Sequence, residues 1–393
     1  MIPTRFAARR RALAPALSAA AALGLGACAS SSSVAQESFT VDGSAGTRLE
    51  ARALAELDAP WAMTFLPDGR ALVTEKAGTL VLVDAGGARL GTIEGVPEVR
   101  PEGQGGFGDV VLHPDFEDNA LVYLSWIERD GSGSGAVVAR APLSLGADGG
   151  ALGPLERVWT QAPKLDSSRH YSHRMAFDDE GYLYVTSGDR GQQTPAQDLS
   201  NNLGTIVRLV DDGTPADGNP FAERGGAAAE FWTVGHRNPL GIDVAPDGTL
   251  WAHEMGPRGG DELNRIVAGE NYGWPAASDG ENYSGAPIPD HAPGDGFRAP
   301  AISWVPSVSP AGLEIYDGEL FETWTGQALM GALSGQALLR VGLDGGEGGD
   351  AAEELERFEW GARVREVEQA PDGSLWVLED SPSGRLVRLA PAG

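Results

Sequence analysis

The chain has 393 residues, with 55 glycines, 26 prolines, one cysteine and a formal net charge of −27. This acidic balance argues against a nucleic-acid partner, because affinity for nucleic acid depends on neutralising phosphates. A single cysteine excludes internal disulfides, so a large core, helped by any bound metal, must stabilise the fold. The glycines and prolines, and the lack of a sustained helical period, predict turns and strands rather than long helices.

Residues 1–28 have the pattern of an export signal. Four arginines precede an apolar run, 12–27, that is too short to span a bilayer comfortably. Leu25-Gly26-Ala27-Cys28 is similar to the lipobox of bacterial lipoproteins, and an ordinary cleaved signal with a chance cysteine is the alternative. We expect an exported, periplasmic protein whose membrane contact is limited to a lipid anchor at Cys28, which the following alanine would direct to the outer membrane. Residues 29–48 would form a tether and 49–393 the folded domain.

One sequence pattern recurs along the rest of the chain: an apolar stretch, then an acidic turn, then a predicted strand. The turns of its copies are Pro67-Asp68-Gly69, Pro114-Asp115, Asp179-Glu180-Gly181, Pro246-Asp247-Gly248, Asp317-Gly318 and Pro371-Asp372-Gly373. Aspartate-glycine turns join antiparallel strands, and the copies follow at intervals of roughly 47 to 70 residues. The pattern predicts an all-β, six-bladed β-propeller with long functional loops at one face. A β-sandwich or a pair of barrels is the alternative.

The third copy is preceded by a cluster of basic side chains. His170, His173 and Arg174 come just before the apolar run 175–177, and 182–186 reads as the second strand of a hairpin. We therefore expect all three side chains on a loop that the hairpin holds. Functional side chains commonly occupy loops carried by a rigid scaffold, so this loop is a candidate site.

Three further motifs carry candidate chemistry. Glycine and proline flank His236-Arg237-Asn238, and the Arg237 guanidinium suits an oxyanion or carbonyl oxygen, with a buried ion pair as the alternative. The carboxylates and glycines of 254–264 suit a hard cation such as calcium, or form only a solvated acidic turn. Strand alternation places Arg363 and Arg365 on one face, where two solvated edge arginines are the alternative.

Taken together and in order, these motifs resemble the soluble aldose-sugar and glucose dehydrogenases that depend on pyrroloquinoline quinone, which are six-bladed propellers. The similarity extends over nearly all of residues 50–390. Its signatures are Gln104-Gly105-Gly106, His170-x-x-x-Arg174, Gly235-His236-Arg237-Asn238-Pro239, Gly256-Pro257-x-x-x-Asp261-Glu262-x-Asn264, Asn271-Tyr272-Gly273-Trp274-Pro275 and Arg363-x-Arg365.

The resemblance implies oxidation of the C1 hydroxyl of an aldose to a lactone by hydride transfer to the quinone. Calcium would be bound, and electrons would pass to a carrier that the sequence does not identify. His170 matches the general base, and Arg237 matches the group over the quinone carbonyl. Cofactor contacts are implied for Gln104, Arg237, Asn238, Tyr283, Leu333, Ser334, Arg363 and Arg365. Calcium is implied at the backbone carbonyls of Gly256 and Pro257, and a second, structural calcium at Glu262 and Tyr272.

Two positions depart from the family pattern. Ser172-His173 stands where family members often carry two glycines, so an imidazole would narrow the pocket or add a titrating group. Ser334 stands at the position of a cofactor-contacting lysine. These departures keep open a non-catalytic propeller that binds a glycan or a protein partner. A second alternative is a metal-dependent propeller lactonase in which the calcium turn activates water. Homodimer formation also stays open.

Overall fold

The computed structural model describes residues 37–343 and 351–393. The predictions for the export signal and for Cys28 lie outside these residues. Of the helices in the described part, none has the length and apolar character needed to cross a membrane. The helices are α1 (Phe116–Asn119) and three 3₁₀ turns, Thr194–Gln197, Ala222–Arg224 and Gly226–Glu230.

Strands make up the rest of the regular structure. The first thirteen are β1 (Ser38–Asp42), β2 (Arg48–Leu57), β3 (Pro60–Phe65), β4 (Ala71–Glu75), β5 (Thr79–Val83), β6 (Arg89–Glu94), β7 (Phe107–Leu112), β8 (Leu121–Asp130), β9 (Gly133–Leu145), β10 (Gly150–Leu152), β11 (Glu156–Thr160), β12 (Ser172–Phe177) and β13 (Leu183–Ser187). The others are β14 (Thr205–Leu209), β15 (Phe231–Val234), β16 (Pro239–Val244), β17 (Leu250–Glu254), β18 (Asp261–Ile266), β19 (Ile302–Trp304), β20 (Pro310–Ile315), β21 (Ala328–Ala332), β22 (Ala337–Gly342), β23 (Glu353–Glu359), β24 (Val364–Gln369), β25 (Leu375–Glu379) and β26 (Gly384–Pro391).

The strands pair mostly with their neighbours in the chain. Three sheets are antiparallel meanders of four strands, β12–β15, β16–β19 and β20–β23. A nine-stranded sheet contains two more such groups, β3–β6 and β7–β9 with β11, which the short β10 joins. The last sheet pairs β24, β25 and β26 with β2 and β1, so the first and last strands of the domain share one sheet.

The first strands of successive groups pack side by side in a ring. β3 contacts β7, β7 contacts β12, and the series continues through β16, β20 and β24 back to β3. Closure through radial repetition is the propeller architecture, in which each group covers its neighbours. The structure therefore confirms the predicted all-β propeller. The number of blades stays a prediction, because two of the groups merge into one sheet.

The core lies between neighbouring groups. Leu338 and Leu339 are adjacent in β22, yet Leu338 packs into the cluster shared with β24–β26 and Leu339 into the cluster shared with β20 and β21. Successive side chains of a strand point to opposite faces, so both faces of the sheet are covered. This explains why such strands are continuously apolar instead of alternating.

The folded domain begins earlier than predicted. β1 lies within the predicted tether, 29–48, and pairs with β2 from Ser38 opposite Arg52 to Asp42 opposite Arg48. Val41 is buried in the core, and the ring of Phe39 packs edge-on against Trp360 at 6.0 Å. The tether prediction is therefore wrong from Ser38 onward, because alternating apolar residues there add a strand to an open sheet edge.

His173 and Arg174 lie in β12, so their predicted placement on the preceding loop is wrong. Only His170 lies in that loop. The φ angles of Ser172 and His173 are +60° and +65°, and the register with β13 shifts between Ser172 and Met175. Such a bulge breaks the simple alternation of the strand and re-aims its side chains.

Arg174 points into the central channel, a cavity of about 310 Å³ lined by residues from every inner strand of the ring. Its Nη1 lies 3.1 Å from Asp109 Oδ1 of β7 and 2.6 Å from Glu366 Oε2 of β24. Its Nε donates to the Leu240 carbonyl of β16 at 3.0 Å. Burial opposes the charge of Arg174, but Glu366 and Asp109 together raise its pKa. One guanidinium thus connects four of the inner strands.

Replacing Arg174 by methionine is expected to destabilise the protein by about 3–5 kcal/mol, because it leaves Asp109 and Glu366 buried without their cation. Urea unfolding followed by tryptophan fluorescence measures the change. The control is Arg129→Met, which removes a 2.9 Å ion pair with Asp166 whose side chains are 44% and 84% exposed. That control should change stability by no more than about 1 kcal/mol. Equal losses in the two variants would contradict the central role of Arg174.

Candidate functional site

Two adjoining cavities lie at one end of the ring. In an antiparallel meander, the segment that enters the first strand and the link between the second and third strands lie at the same end. The cavities are lined by such segments, including those that precede β7, β12, β16 and β24. We call the cavity of about 890 Å³ the large cavity and that of about 440 Å³ the basic cavity. Their shared lining includes Gln104, Asn238 and Tyr283.

The structure brings the predicted catalytic and cofactor residues to these two cavities. The large cavity is lined by Gln104, His170, Arg237, Asn238, Tyr283 and Ser334, together with Gly256 and Pro257. The basic cavity adds Leu333, Arg363 and Arg365. Glu262 and Tyr272 line a separate, small cavity beside Gly256. The locations agree with the prediction, and the roles stay predictions.

His170 is held from two sides at the rim of the large cavity. Its Nδ1 lies 2.6 Å from Asp189 Oδ1, and its peptide N–H donates to Gln104 Oε1 at 2.6 Å. A carboxylate at Nδ1 assigns the proton to that nitrogen, which leaves Nε2 as the nitrogen available to the cavity. Burial lowers the pKa of His170 below its usual 6.5; Asp189 opposes that effect and the Arg237 charge adds to it. The imidazole is therefore a neutral acceptor near pH 7.

Asp189 was missed by the sequence analysis, although it follows β13 at the end of the ring where His170 lies. It is fully buried and also accepts hydrogen bonds from the peptide N–H groups of Gly191 and Gln193, at 2.6 and 3.1 Å, and from Trp274 Nε1 at 2.8 Å. Burial by itself would raise the pKa of Asp189, but these donors and His170 lower it. The carboxylate stays ionised and fixes the imidazole.

Arg237 and Asn238 enter the site from the segment before β16. Arg237 Nη1 donates to the Met255 carbonyl at 2.8 Å, and the guanidinium carbon lies 5.3 Å from the centre of the Trp274 ring. Asn238 Oδ1 accepts a 3.2 Å hydrogen bond from Ser172 Oγ, whereas its buried Nδ2 has no partner among the described residues. A buried N–H without a partner is uncommon, and this one borders both cavities. It is a donor ready for a ligand.

The basic cavity is positively charged inside an acidic protein. Its charged side chains are Lys76, Arg363, Arg365 and one acid, Asp380. Arg363 Nε and Arg365 Nη2 lie 2.5 and 3.0 Å from the two oxygens of Asp380, which places both guanidiniums at one cavity. Buried Arg365 Nε has no partner in the described part of the chain. An anion with several carboxylates would complement this lining.

The predicted calcium residues lie near a buried group of carboxylates. Glu262 shares the small cavity with Glu254, Gly256 and Tyr272. Burial, followed by the negative charge of Glu254, raises the pKa of Glu262 well above its usual range. Within 37–343 and 351–393, no three His, Cys, Asp or Glu side chains are grouped to hold a metal. The predicted ligand set at Gly256 and Pro257 uses backbone oxygens, which suit a hard cation, and a cation would offset the charge on Glu262.

Comparison with known proteins identifies the family. The model of the glucose/sorbosone dehydrogenases matches residues 57–388. The chain is 39% identical over 344 residues to the aldose sugar dehydrogenase YliI of Escherichia coli, covering 86% of this chain and 91% of that protein. The chain belongs to the glucose/sorbosone dehydrogenase family.

Solved structures of similar proteins share the fold. The apo-form of the soluble aldose sugar dehydrogenase of Escherichia coli is 37% identical, with a TM-score of 0.82, and the match covers 88% of this chain and 100% of that one. The PQQ-bound form of an aldose sugar dehydrogenase from Streptomyces coelicolor is 29% identical, with a TM-score of 0.71, and the match covers 89% and 98%. The resemblance found in the sequence is therefore confirmed at the level of the family.

The two departures from the family pattern have different outcomes. The His173 ring stacks on Trp61 at 5.3 Å and its Nδ1 lies 2.8 Å from Ser125 Oγ, while a Cβ on Gly108 would lie 2.0 Å from the imidazole. Burial lowers the pKa of His173 to about 3, which argues against an added titrating group, and the imidazole lines the basic cavity, as the alternative of a narrowed pocket requires. Ser334 Oγ lies 2.7 Å from Ser309 Oγ and supplies no charge.

Replacing Asp189 by asparagine is expected to lower the pKa of His170 further, because the charge that stabilises the imidazolium is lost. NMR titration of the ring protons measures this pKa, and His170→Ala assigns the signal. The control is Asp166→Asn, which removes an exposed carboxylate and should leave the titration unchanged. An unchanged or raised pKa in the Asp189 variant would refute the pairing.

Proposed function

We propose that the protein oxidises the C1 hydroxyl of aldose sugars to lactones, with pyrroloquinoline quinone as electron acceptor and calcium as bound cation. The observation that carries the proposal is the convergence of His170 Nε2, the Arg237 guanidinium and the Gly256-Pro257 turn on one large cavity. The names of the similar proteins support it, since one is an aldose sugar dehydrogenase and another binds PQQ.

The residues of the two cavities fit a planar tricarboxylate. Arg363 and Arg365 would hold carboxylates in the basic cavity, and Arg237 with Asn238 Nδ2 would donate to oxygens where the two cavities meet. Calcium at the Gly256-Pro257 turn would add positive charge on the large-cavity side. When bound, the quinone would supply the two-electron acceptor, while the protein provides orientation and electrostatics.

The protein's own part in the chemistry is a proton transfer. His170 would accept the proton of the sugar C1 hydroxyl at Nε2, and Asp189 would stabilise the resulting imidazolium through Nδ1. The large cavity, of about 890 Å³, would receive the sugar beside His170 and Gln104.

We also propose that the protein is exported to the periplasm and, if Cys28 is lipidated, anchored to the outer membrane. The support is the sequence pattern of residues 1–28. Metabolic labelling with a lipid precursor, compared between the natural chain and Cys28→Ala, tests the anchor.

The decisive experiment is a spectrophotometric titration of purified apo-protein with the quinone, with and without calcium, followed by dye-linked aldose oxidation. Retained quinone and sugar oxidation are expected. Lactone hydrolysis without quinone would instead establish the metal-dependent lactonase. If neither activity appears and no quinone is retained, the protein is a binding propeller.

Replacing His170 by alanine should lower kcat for sugar oxidation by ~10²–10⁴-fold while quinone binding is kept, because general-base help is lost. In the natural protein, log kcat/KM should reach its plateau at pH values above the pKa of His170, which burial lowers, and fall with unit slope as pH drops through that pKa. Activity that falls as pH rises through neutrality would contradict a neutral base.

Removing calcium with a chelator should lower the melting temperature, and returning it should restore stability. At a calcium concentration ~100 times Kd, the gain is about 2.7 kcal/mol. Glu262→Gln should shrink this gain, whereas Glu117→Gln, on an exposed turn of α1, should leave it intact. Scanning calorimetry measures the shift, and a chelator that changes nothing would exclude calcium from the fold.

A further inference from the structure

Lys76 lines the basic cavity, directly after β4. The sequence contains only one other lysine, Lys164. Lys76 faces the same cavity as Arg363 and Arg365, where Asp380 is the single acid. Three cations against one carboxylate leave a net charge of about +2 for a ligand, and Lys76 contributes half of that excess.

The position of Lys76 is fixed by the loop before β7. Its carbonyl accepts the Phe107 N–H at 3.0 Å, and a Cβ on Gly106 would lie 2.6 Å from Lys76 Cγ, so the stem packs against a glycine. Its Nζ donates to the Gly103 carbonyl at 2.7 Å. An ammonium group has three donors, so this neutral partner leaves capacity for an anion.

Lys164 shows what a structural lysine looks like in this protein. It forms ion pairs with Glu128 and Asp130, and its Nζ lies 2.7 Å from Asp130 Oδ2. Lys76 has instead a carbonyl partner and a positive neighbour: burial and then the Arg365 charge lower its pKa, and Asp380 partly offsets them. Two neighbouring cations repel each other until an anion binds between them. The charge of the cavity therefore favours an anionic ligand.

Ser334 is the neutral residue at the position where the resemblance places a cofactor-contacting lysine. Its hydroxyl lies 2.7 Å from Ser309 Oγ and donates to the Ser307 carbonyl at 3.2 Å, on the large-cavity side. The position where the resemblance places a lysine is therefore neutral. Lys76 approaches from β4, on a different group of strands, and restores a third cation to the site.

We propose that Lys76 binds a carboxylate of the quinone and replaces the charge that is absent at Ser334. The inference rests on the proposed function, since it requires that the quinone occupies the basic cavity. Lys76 would be a binding residue, with its Nζ contacting a ligand carboxylate while it keeps or exchanges the hydrogen bond to Gly103.

The first test measures quinone affinity of the apo-protein by absorbance titration in saturating calcium. Lys76→Met should bind about tenfold more weakly than the natural protein, since one charge-assisted contact is lost, and its affinity should depend less on salt. Lys76→Arg should stay within about threefold. Lys164→Met, which removes the same charge away from the cavities, should bind like the natural protein.

The second test uses the fact that the chain has two lysines. Acetylation with a water-soluble ester, followed by mass spectrometry, reports each one separately. Bound quinone should slow acetylation of Lys76 at least fivefold and leave Lys164 unchanged. If the natural protein retains no quinone, the proposed function and this inference both fall. If it binds quinone but Lys76→Met binds equally well and Lys76 is not protected, only this inference is overturned.

Discussion

The buried guanidinium of Arg174 is the contact on which the ring depends. The other charged residues that line the central channel are acids, and burial raises the pKa of two of them, Glu366 and Asp243, to about 7. Burying unpaired carboxylates in the channel would cost free energy and would therefore destabilise the closed ring relative to a state in which water solvates them. Arg174 offsets Asp109 and Glu366 and binds the Leu240 carbonyl at the same time. It thereby ties the strand that follows the His170 loop to three other inner strands, β7, β16 and β24.

The basic cavity carries positive charge although the protein as a whole is strongly negative. A chain with a net charge of −27 keeps its surface acidic, yet concentrates Lys76, Arg363 and Arg365 in one cavity. Low-dielectric walls strengthen the field of these cations where bulk water would weaken it. The acidic exterior repels anions, whereas the positive charge of the cavity would complement a ligand that presents several carboxylates together. Asp380 pairs with both arginines, and its negative charge offsets the repulsion between the two guanidinium groups.

Local chemistry made the strands predictable and left the site geometry open. The turns at Asp68-Gly69 and Asp247-Gly248 predicted hairpins, because glycine accepts the positive φ that such turns need. The φ angle is +83° at both Gly69 and Gly248. The bulge at His173 was not predictable, since it depends on a long-range stack with Trp61 and on the space left by Gly108. Asp189 was missed for a related reason, because its side-chain partners His170 and Trp274 are 19 and 85 residues away and only the fold brings them to it. The family motifs located the cavities, but not the lysine that enters one of them.

Asp189 fixes the position of His170 relative to Arg237. Its carboxylate holds His170 Nδ1, while its peptide N–H donates to the Arg237 carbonyl at 2.9 Å. Trp274 connects the same two residues a second time, because its Nε1 donates to Asp189 and its ring lies against the Arg237 guanidinium. Segments from two neighbouring groups of strands, β12–β15 and β16–β19, are thus fixed through one buried aspartate. In the proposed reaction such a site would need little reorganisation when charge develops on the imidazole, since the compensating carboxylate is already in place and already desolvated. The rigidity of the ring would then contribute to the chemistry as well as to the fold.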